Sequence, residues 1–220
     1  YAYMESNLVG FLNIIELCRN NDIKSLIYAS SSSVYGANKI IPFKENEKVR
    51  KPISIYGASK RANELIAHSY SYLYGLNTTG LRFFTVYGPW GRPDMAMFIF
   101  TKNILEKKQI EVFNNGNMKR DFTYIDDIIN GIKSAIKNNY KFEIFNLGNS
   151  KSEKLMDMIN IIERELGAKA KISYKKLQPG DIVESLSDIN KSFKKLDYEP
   201  LITIKEGIPL FINWYKSYYC

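Results

Sequence analysis

The chain has 220 residues, of which 45% are hydrophobic, 25% charged and 14% aromatic. This composition excludes a disordered or low-complexity chain and is typical of a globular protein with one sizeable core. No apolar run approaches the ~18 residues of a membrane span, and the lysines behind the net charge of +8 are scattered, which favours a solvated surface over nucleic-acid binding.

The first half of the chain alternates predicted helices and strands. Apolar residues at helical spacing predict a helix over 4–20, and a short apolar run predicts a buried strand over 26–29, followed by a serine-rich loop over 30–33. A second helix is predicted over 56–74 and a second strand over 78–84. This alternation is typical of an α/β fold with a parallel sheet covered by helices.

The second half has shorter predicted elements. Helices are expected over 94–108, 125–137, 152–166 and from about 205, and strands over 110–113, 143–147 and 171–174. Ser152 is the expected cap of the third of these helices. We expect two regions, 1–93 and 94–220, that interleave in space.

Cysteine and histidine usage limits the available chemistry. Cys18 and Cys220 are isolated, which suits a reducing cytosol and predicts neither a disulfide framework nor a metal site. The single histidine, His68, lies in a predicted helix and is expected to be a packing or surface residue. The presence of only one histidine also argues against a catalytic triad of the serine–histidine type.

A tyrosine and a lysine four residues apart form the first chemical motif. Tyr56 and Lys60 open the second predicted helix, so their side chains share one helix face. A nearby ammonium favours the phenolate form of a tyrosine, which can then accept a proton. The serines of 30–33 follow a buried strand, where open parallel sheets bind ligands.

Four motifs in order carry a resemblance to a known family. They are Tyr28–Gly36 (YASSSSVYG), Ser54–Lys60 (SIYGASK), Leu81–Pro93 (LRFFTVYGPWGRP) and Arg120–Asp127 (RDFTYIDD). Together they resemble the nucleotide-sugar epimerase/dehydratase branch of the extended short-chain dehydrogenase/reductase superfamily, and within it the UDP-glucuronate 4-epimerases. The resemblance implies the C-terminal part of a Rossmann-like parallel sheet with helices on both faces, plus a smaller α/β substrate-binding region.

The same resemblance implies catalytic and cofactor-binding roles. Tyr56 is expected to take the proton of the sugar 4-hydroxyl while hydride passes from C4 to NAD. Lys60 is expected to hold the nicotinamide ribose, and Ser31 to hydrogen-bond the reacting oxygen. Asn7 and Phe83 resemble positions that line the cofactor site.

Substrate-binding residues are also implied. Ser32 and Ser33 stand where 4,6-dehydratases of this branch usually carry Asp and Glu, and two hydroxyls cannot supply that acid–base pair, so epimerisation is favoured over dehydration. Thr85 and Arg92 are expected to hold a glucuronate carboxylate, although Arg92 can also brace its own loop. This pair favours UDP-glucuronate over UDP-glucose or UDP-galactose.

Two further residues are assigned to the nucleotide. Arg120 resembles the arginine that binds the diphosphate. Asp181 resembles the acidic residue that accepts the uridine ribose hydroxyls, with an ordinary turn aspartate as the alternative. The stretch 98–100 is expected to pack in the core rather than against uracil.

One family feature does not occur among the 13 glycines. Neither G-x-G-x-x-G nor G-x-x-G-x-x-G is present, and the family places that pyrophosphate-binding loop upstream of the motifs above. We therefore expect either the downstream part of an NAD-dependent 4-epimerase or a sugar-nucleotide-binding module without turnover. The resemblance further implies a cytosolic homodimer, with helices 4–20 and 56–74 at its interface, and no nucleic-acid or membrane partner.

Overall fold

The computed structural model describes residues 1–220. The chain divides into two compact units, each built from three segments. Unit 1 comprises Tyr1–Phe84, Ile129–Leu147 and Ser187–Glu199, and unit 2 comprises Thr85–Ile128, Gly148–Leu186 and Pro200–Cys220. The functional division into 1–93 and 94–220 stays a prediction.

Seven α-helices and nine strands follow one another along the chain. The helices are α1 (Gly10–Asn20), α2 (Ile55–Tyr74), α3 (Ala96–Leu105), α4 (Ile125–Lys137), α5 (Leu155–Leu166), α6 (Asn190–Leu196) and α7 (Ile204–Tyr219). The strands are β1 (Ser25–Ser31), β2 (Asn77–Phe83), β3 (Thr85–Tyr87), β4 (Gln109–Val112), β5 (Lys119–Arg120), β6 (Phe122–Tyr124), β7 (Phe142–Leu147), β8 (Glu153–Lys154) and β9 (Lys171–Tyr174). No helix combines the length and the apolar character that a membrane crossing requires.

Unit 1 is built on a three-stranded parallel sheet in the order β1-β2-β7. Ser31 at the end of β1 lies in register with Phe83 at the end of β2, which in turn lies in register with Leu147. The carboxyl ends of the three strands therefore stand side by side. The α/β class with a parallel sheet, predicted from the sequence, is confirmed.

Unit 2 consists of two-stranded ribbons around a core of helices. The pairs β3–β6 and β4–β9 are parallel, and β5–β8 is antiparallel. Its core is rich in aromatic side chains, with Phe98, Phe100 and Phe211 each at most 6% exposed. The predicted core packing of 98–100 is thus confirmed for both phenylalanines.

The sequence predicted every α-helix except α6 and missed the shortest strands. Helix α4 and strand β9 have the predicted bounds, whereas β3, β5, β6, β8 and α6 were not expected. A strand of two or three residues is too short to show the alternation on which a prediction depends. The segment Met4–Val9 is π-helical rather than α-helical, with the Gly10 N–H donating to the Glu5 carbonyl.

Two local predictions were wrong. Ser30 and Ser31 belong to β1 rather than to a loop, because the ladder to β2 continues to the Ser31–Phe83 pair. Ser152 does not cap α5, which begins at Leu155 after Lys154. Its hydroxyl instead donates to the Glu184 carboxylate at 2.8 Å.

Candidate active site

The first turn of α2 presents Tyr56 and rests against the segment that follows β1. Ser54 caps the helix by accepting a hydrogen bond from the Gly57 N–H at 3.0 Å. A Cβ at Gly57 would stand 2.6 Å from the Ser33 carbonyl oxygen, so only glycine allows this approach. The sequence therefore brings Tyr56 next to the serine-rich segment.

Lys60 and Ser31 stand on the two elements joined in this way. The Lys60 ammonium donates to the Ala29 carbonyl at 3.2 Å and lies 5.9 Å from the centre of the Tyr56 ring. Partial burial lowers the pKa of Lys60. Ser31 is 7% exposed, and its oxygen accepts the Ser33 N–H at 3.1 Å, which leaves its own hydroxyl hydrogen for a ligand.

The residues of unit 1 that were predicted to line the cofactor and the substrate lie on elements next to Tyr56 or Ser31. Asn7 donates to the Ser59 hydroxyl at 2.9 Å, and Ser59 donates to the Tyr56 carbonyl at 2.8 Å. Phe83 is half-buried at the end of β2. Ser32 and Ser33 are half-buried too and begin a 3-10 turn that continues to Tyr35.

Sequence reasoning missed a buried ionic group beneath this site. Glu64 of α2 and Arg82 of β2 form an ion pair at 2.8 Å, with side chains 0% and 1% exposed. Ser30 donates to the same carboxylate at 2.6 Å. An arginine between Leu81 and Phe83 in a buried strand, and a glutamate one turn after Lys60, were the available signals.

Unit 2 contains a cavity of about 710 Å³ that holds three of its four predicted ligand-binding residues, Thr85, Arg120 and Asp181. Arg120 uses its Nη1 to donate to the carbonyls of Lys119 and Val183, at 3.0 and 3.1 Å. Its Nε and Nη2 are left for a ligand. Burial lowers the pKa of Arg120, and the Asp181 carboxylate acts in the opposite direction.

The charge in this cavity is unevenly divided. Asp94, Glu111 and Asp181 line it together with a single guanidinium, that of Arg120. Asp94 is paired with Arg92, and Glu111 lies 3.4 Å from the Lys175 ammonium, so Asp181 is the carboxylate that acts on Arg120. The Asp181 N–H donates to the Gln178 carbonyl at 3.2 Å, so Asp181 does stand in a turn as the alternative reading proposed.

Arg92 lies apart from the cavity lining, with its side chain 72% exposed. Its guanidinium forms a two-point contact with Asp94, with Nε to Oδ1 at 3.0 Å and Nη2 to Oδ2 at 2.5 Å. The neighbouring Trp90 packs its ring against Trp214 and Tyr218 of α7, at centroid distances of 5.4 and 4.9 Å. The guanidinium that this loop presents, that of Arg92, is therefore already bound to a carboxylate, that of Asp94.

Comparison with known proteins adds three results. The model of the NAD dependent epimerase/dehydratase family matches residues 1–148. An uncharacterised protein of Methanocaldococcus jannaschii is 56% identical over 215 residues, covering 98% of this chain and 66% of that protein. UDP-glucuronate 4-epimerase 4 of Arabidopsis thaliana is 44% identical over 236 residues, covering 99% of this chain and 54% of the plant protein.

A solved structure agrees with both units of the fold. The UDP-glucuronic acid 4-epimerase from Bacillus cereus, in complex with UDP-glucuronic acid and NAD, matches with a TM-score of 0.93 and 33% identity. The match covers 98% of this chain and 69% of that one. The chain therefore spans between about half and just over two thirds of the length of these relatives.

Proposed function

The chain belongs to the NAD-dependent epimerase/dehydratase family, and from that premise we propose that it is a nucleotide-sugar 4-epimerase acting on UDP-glucuronate. One observation carries the proposal: Tyr56, Lys60 and Ser31 are held together on α2 and the end of β1 by direct contacts. The relatives named as UDP-glucuronate 4-epimerases support the choice of reaction.

The side chains of unit 1 supply the proton chemistry. Tyr56 takes the proton of the sugar 4-hydroxyl and returns it after the sugar has turned over. The Lys60 ammonium lies 5.9 Å from the centre of the Tyr56 ring, next to the group that accepts this proton. Ser31 donates its hydroxyl hydrogen to the same sugar oxygen, which orients the substrate without adding a second charge.

The neighbouring serines favour epimerisation over elimination of water. Elimination requires a general acid and a general base beside the sugar. Ser32 and Ser33 offer only hydroxyls there, and a hydroxyl is too weak an acid or base for that step near neutral pH. The 4-keto sugar consequently returns to product without losing water.

The donor set of unit 1 fits the nicotinamide end of NAD. A phenol, an ammonium and a hydroxyl stand at the carboxyl end of a parallel strand, where open α/β sheets bind ligands. Lys60 and Tyr56 would hold the nicotinamide ribose, beside Asn7 and Phe83. When bound, NAD supplies the hydride acceptor. No Gly-rich pyrophosphate loop occurs within the 220 residues.

We assign the nucleotide to the cavity of unit 2. Arg120 has two free donors for a diphosphate, and Asp181 has a carboxylate for the uridine ribose hydroxyls. Thr85 and Arg92 would hold the glucuronate carboxylate, because a planar guanidinium fork matches a carboxylate with two parallel hydrogen bonds.

Because Arg92 is already paired with Asp94, a UDP-sugar without a carboxylate remains the alternative substrate. While Asp94 binds the Arg92 guanidinium, the charge of that guanidinium is already compensated and does not attract the carboxylate of a sugar acid. UDP-glucose or UDP-galactose would bind without disturbing the contact between Arg92 and Asp94. A sugar acid must instead displace an exposed carboxylate, which is a weakly held partner.

We further infer a homodimer. Exposed apolar side chains cluster on the two helices already assigned to the interface, namely Leu12, Ile14 and Leu17 of α1 and Leu65, Tyr72 and Leu73 of α2. Sedimentation velocity of the wild type and of a Leu17→Glu, Leu73→Glu variant tests this. The variant should sediment as a monomer, and an unchanged dimer would exclude this face.

A cytosolic location is part of the same proposal. Cys18 and Cys220 are both free thiols, which suits a reducing compartment. Fractionation of cells expressing the native gene, with detection by antibody, should recover the protein with cytosolic markers.

The deciding experiment is turnover by the complete gene product. Incubation with UDP-glucuronate should produce UDP-galacturonate, detected by separation of the two nucleotide sugars, and denaturation should release NAD detectable by its absorbance. NAD release without turnover of any UDP-sugar would exclude the epimerase, and absence of both would favour the binding module without turnover.

A further inference from the structure

The Glu64 carboxylate of α2 is fully buried and accepts four hydrogen bonds from charged or hydroxyl donors. Arg82 donates to both of its oxygens, at 2.8 and 2.9 Å. Arg61 donates to Oε2 at 2.8 Å, and Ser30 donates to Oε1 at 2.6 Å. Hydrogen bonds lower the pKa of Glu64 against the opposing effect of burial. The carboxylate is therefore a charged and fully satisfied anchor.

Arg82 is itself fixed from its other side. Its guanidinium lies 4.8 Å from the centre of the Tyr35 ring, and the Tyr35 hydroxyl donates to the Asn146 side chain at 2.7 Å. Asn146 belongs to β7, whereas Arg82 belongs to β2. The carboxylate of Glu64 is thus tied to a rigid network that reaches all three strands of the sheet.

Three successive contacts join α2 to the end of β1 and to the turn that follows it. Gly57 touches the carbonyl of Ser33, Lys60 donates to the carbonyl of Ala29, and Glu64 accepts from the hydroxyl of Ser30. At 1.5 Å per residue these contacts cover about 10 Å of the helix. Sliding or rotation of α2 along β1 would break all three, so they fix its register.

This register decides where the reactive groups stand. Tyr56 immediately precedes Gly57, and Ser31 immediately follows Ser30. The two residues that share a substrate oxygen in the proposed reaction are therefore each one peptide bond away from an anchoring contact.

We propose that Ser30 and Glu64 are positioning residues, whose buried hydrogen bond sets the placement of Ser31 relative to Tyr56 and Lys60. This inference rests on the proposed epimerase function. Neither residue touches substrate, and both act through the helix and the strand that they join. A loss of this bond loosens the geometry of proton transfer and leaves nucleotide binding intact.

The test compares two serines that each make one buried hydrogen bond involving α2. Ser30→Ala removes the bond to Glu64, and the control Ser71→Ala removes a bond of equal length, 2.6 Å, from α2 to the Lys141 carbonyl. Ser30→Ala should lower kcat about tenfold, since small displacements at a reacting centre are costly. KM should stay unchanged, Ser71→Ala should keep wild-type kcat, and Ser30→Thr should restore activity because it retains the hydroxyl.

A readout independent of turnover separates this inference from the proposed function. In protein labelled with ¹³C at the tyrosine ring, the resonance of Tyr56 is assigned by its disappearance in Tyr56→Phe. The chemical shift of this resonance should change in Ser30→Ala, because the Tyr56 ring moves relative to Ser31 and Lys60, and should stay at the wild-type value in Ser71→Ala. If wild type turns over no UDP-sugar but this shift occurs, the function fails and the positioning role stands.

Two outcomes overturn the inference. Equal losses of kcat in Ser30→Ala and Ser71→Ala would show that any lost buried bond has this effect. Wild-type kcat and an unmoved Tyr56 resonance in Ser30→Ala would show that the bond serves stability alone.

Discussion

The two units hold their functional side chains in different ways. In unit 1, Tyr56 and Lys60 lie on a 20-residue helix and Ser31 lies on a seven-residue strand. An ionic network with almost no solvent exposure joins this helix to the strand. In unit 2, the predicted ligand-binding residues lie on short strands and loops around an open cavity. Arg92, with a side chain 72% exposed, is the extreme case.

This difference matches the demands of the two proposed tasks, proton transfer in unit 1 and nucleotide binding in unit 2. Proton transfer between a hydroxyl and a phenol requires placement to within a fraction of an ångström, which rigid elements with locked neighbours provide. Nucleotide binding is more tolerant, because a guanidinium or a carboxylate on a loop can adjust to its ligand. The difference between the units leads to four predictions, two that alter unit 1 and two that alter unit 2.

The largest effect is expected at Tyr56. Tyr56→Phe removes only the hydroxyl and should lower kcat roughly 10²- to 10⁴-fold, the usual contribution of a general base. The affinity for UDP, measured by calorimetry, should stay at the wild-type value because the cavity of unit 2 is unaltered. A variant that loses UDP affinity as well would show that the two tasks are not divided between the units.

Arg120 provides the reciprocal test. Arg120→Met keeps most of the apolar stem but removes the one cation among the cavity residues, the cation on which the Asp181 carboxylate acts. UDP affinity should fall roughly 10- to 100-fold, the loss of 1.5–3 kcal/mol for a hydrogen bond to a charged group. The control Arg164→Met removes an exposed arginine paired with Glu165 in the same unit and should bind UDP like the wild type.

The comparison also explains what the sequence could and could not predict. Long elements of unit 1 carry enough periodic residues to be recognised, so α2 was predicted within one residue and β2 within one at each end. Unit 2 depends on ribbons such as β5–β8, with two residues per strand. Such strands are decided by tertiary pairing rather than by local pattern.

Site prediction has a similar limit. Tyr56, Lys60 and Ser31 were proposed because they fall within motifs that resemble those of a family, and no such motif points to a residue that acts only through its neighbours. Glu64 and Ser30 were missed because their role depends on a contact across 34 residues of sequence. Neighbours of that kind become visible only when α2 and β1 are placed side by side. The contact between Arg92 and Asp94, two positions apart in one loop, was missed for a different reason, because sequence spacing does not fix the direction in which a loop side chain turns.

The third prediction concerns the selectivity of the loop in unit 2. Arg92→Met should lower kcat/KM for UDP-glucuronate about tenfold through the loss of a charge-assisted contact, while kcat/KM for a neutral UDP-sugar stays unchanged. The two substrates in one assay serve as each other's control. Equal losses on both would assign Arg92 to bracing its own loop and would remove the preference for the acidic sugar.

The smallest effect is expected in the pH dependence of stability at Lys60. Burial lowers the pKa of this ammonium, so the unfolded chain, with a lysine value of about 10.4, binds more protons than the folded one at pH values between the two. Stability contributed at this position therefore rises with pH across that window.

Relative to Lys60→Met, the wild type should gain unfolding free energy as the pH is raised, in denaturant titrations from neutral to alkaline pH. The control Lys194→Met, at an exposed lysine of the same unit, should show no such trend. If the unfolding free energies of wild type and Lys60→Met change in parallel with pH, the ammonium is as well solvated in the folded protein as in the unfolded chain. Unit 1 would then lack part of the rigid, water-excluding character that distinguishes it from unit 2.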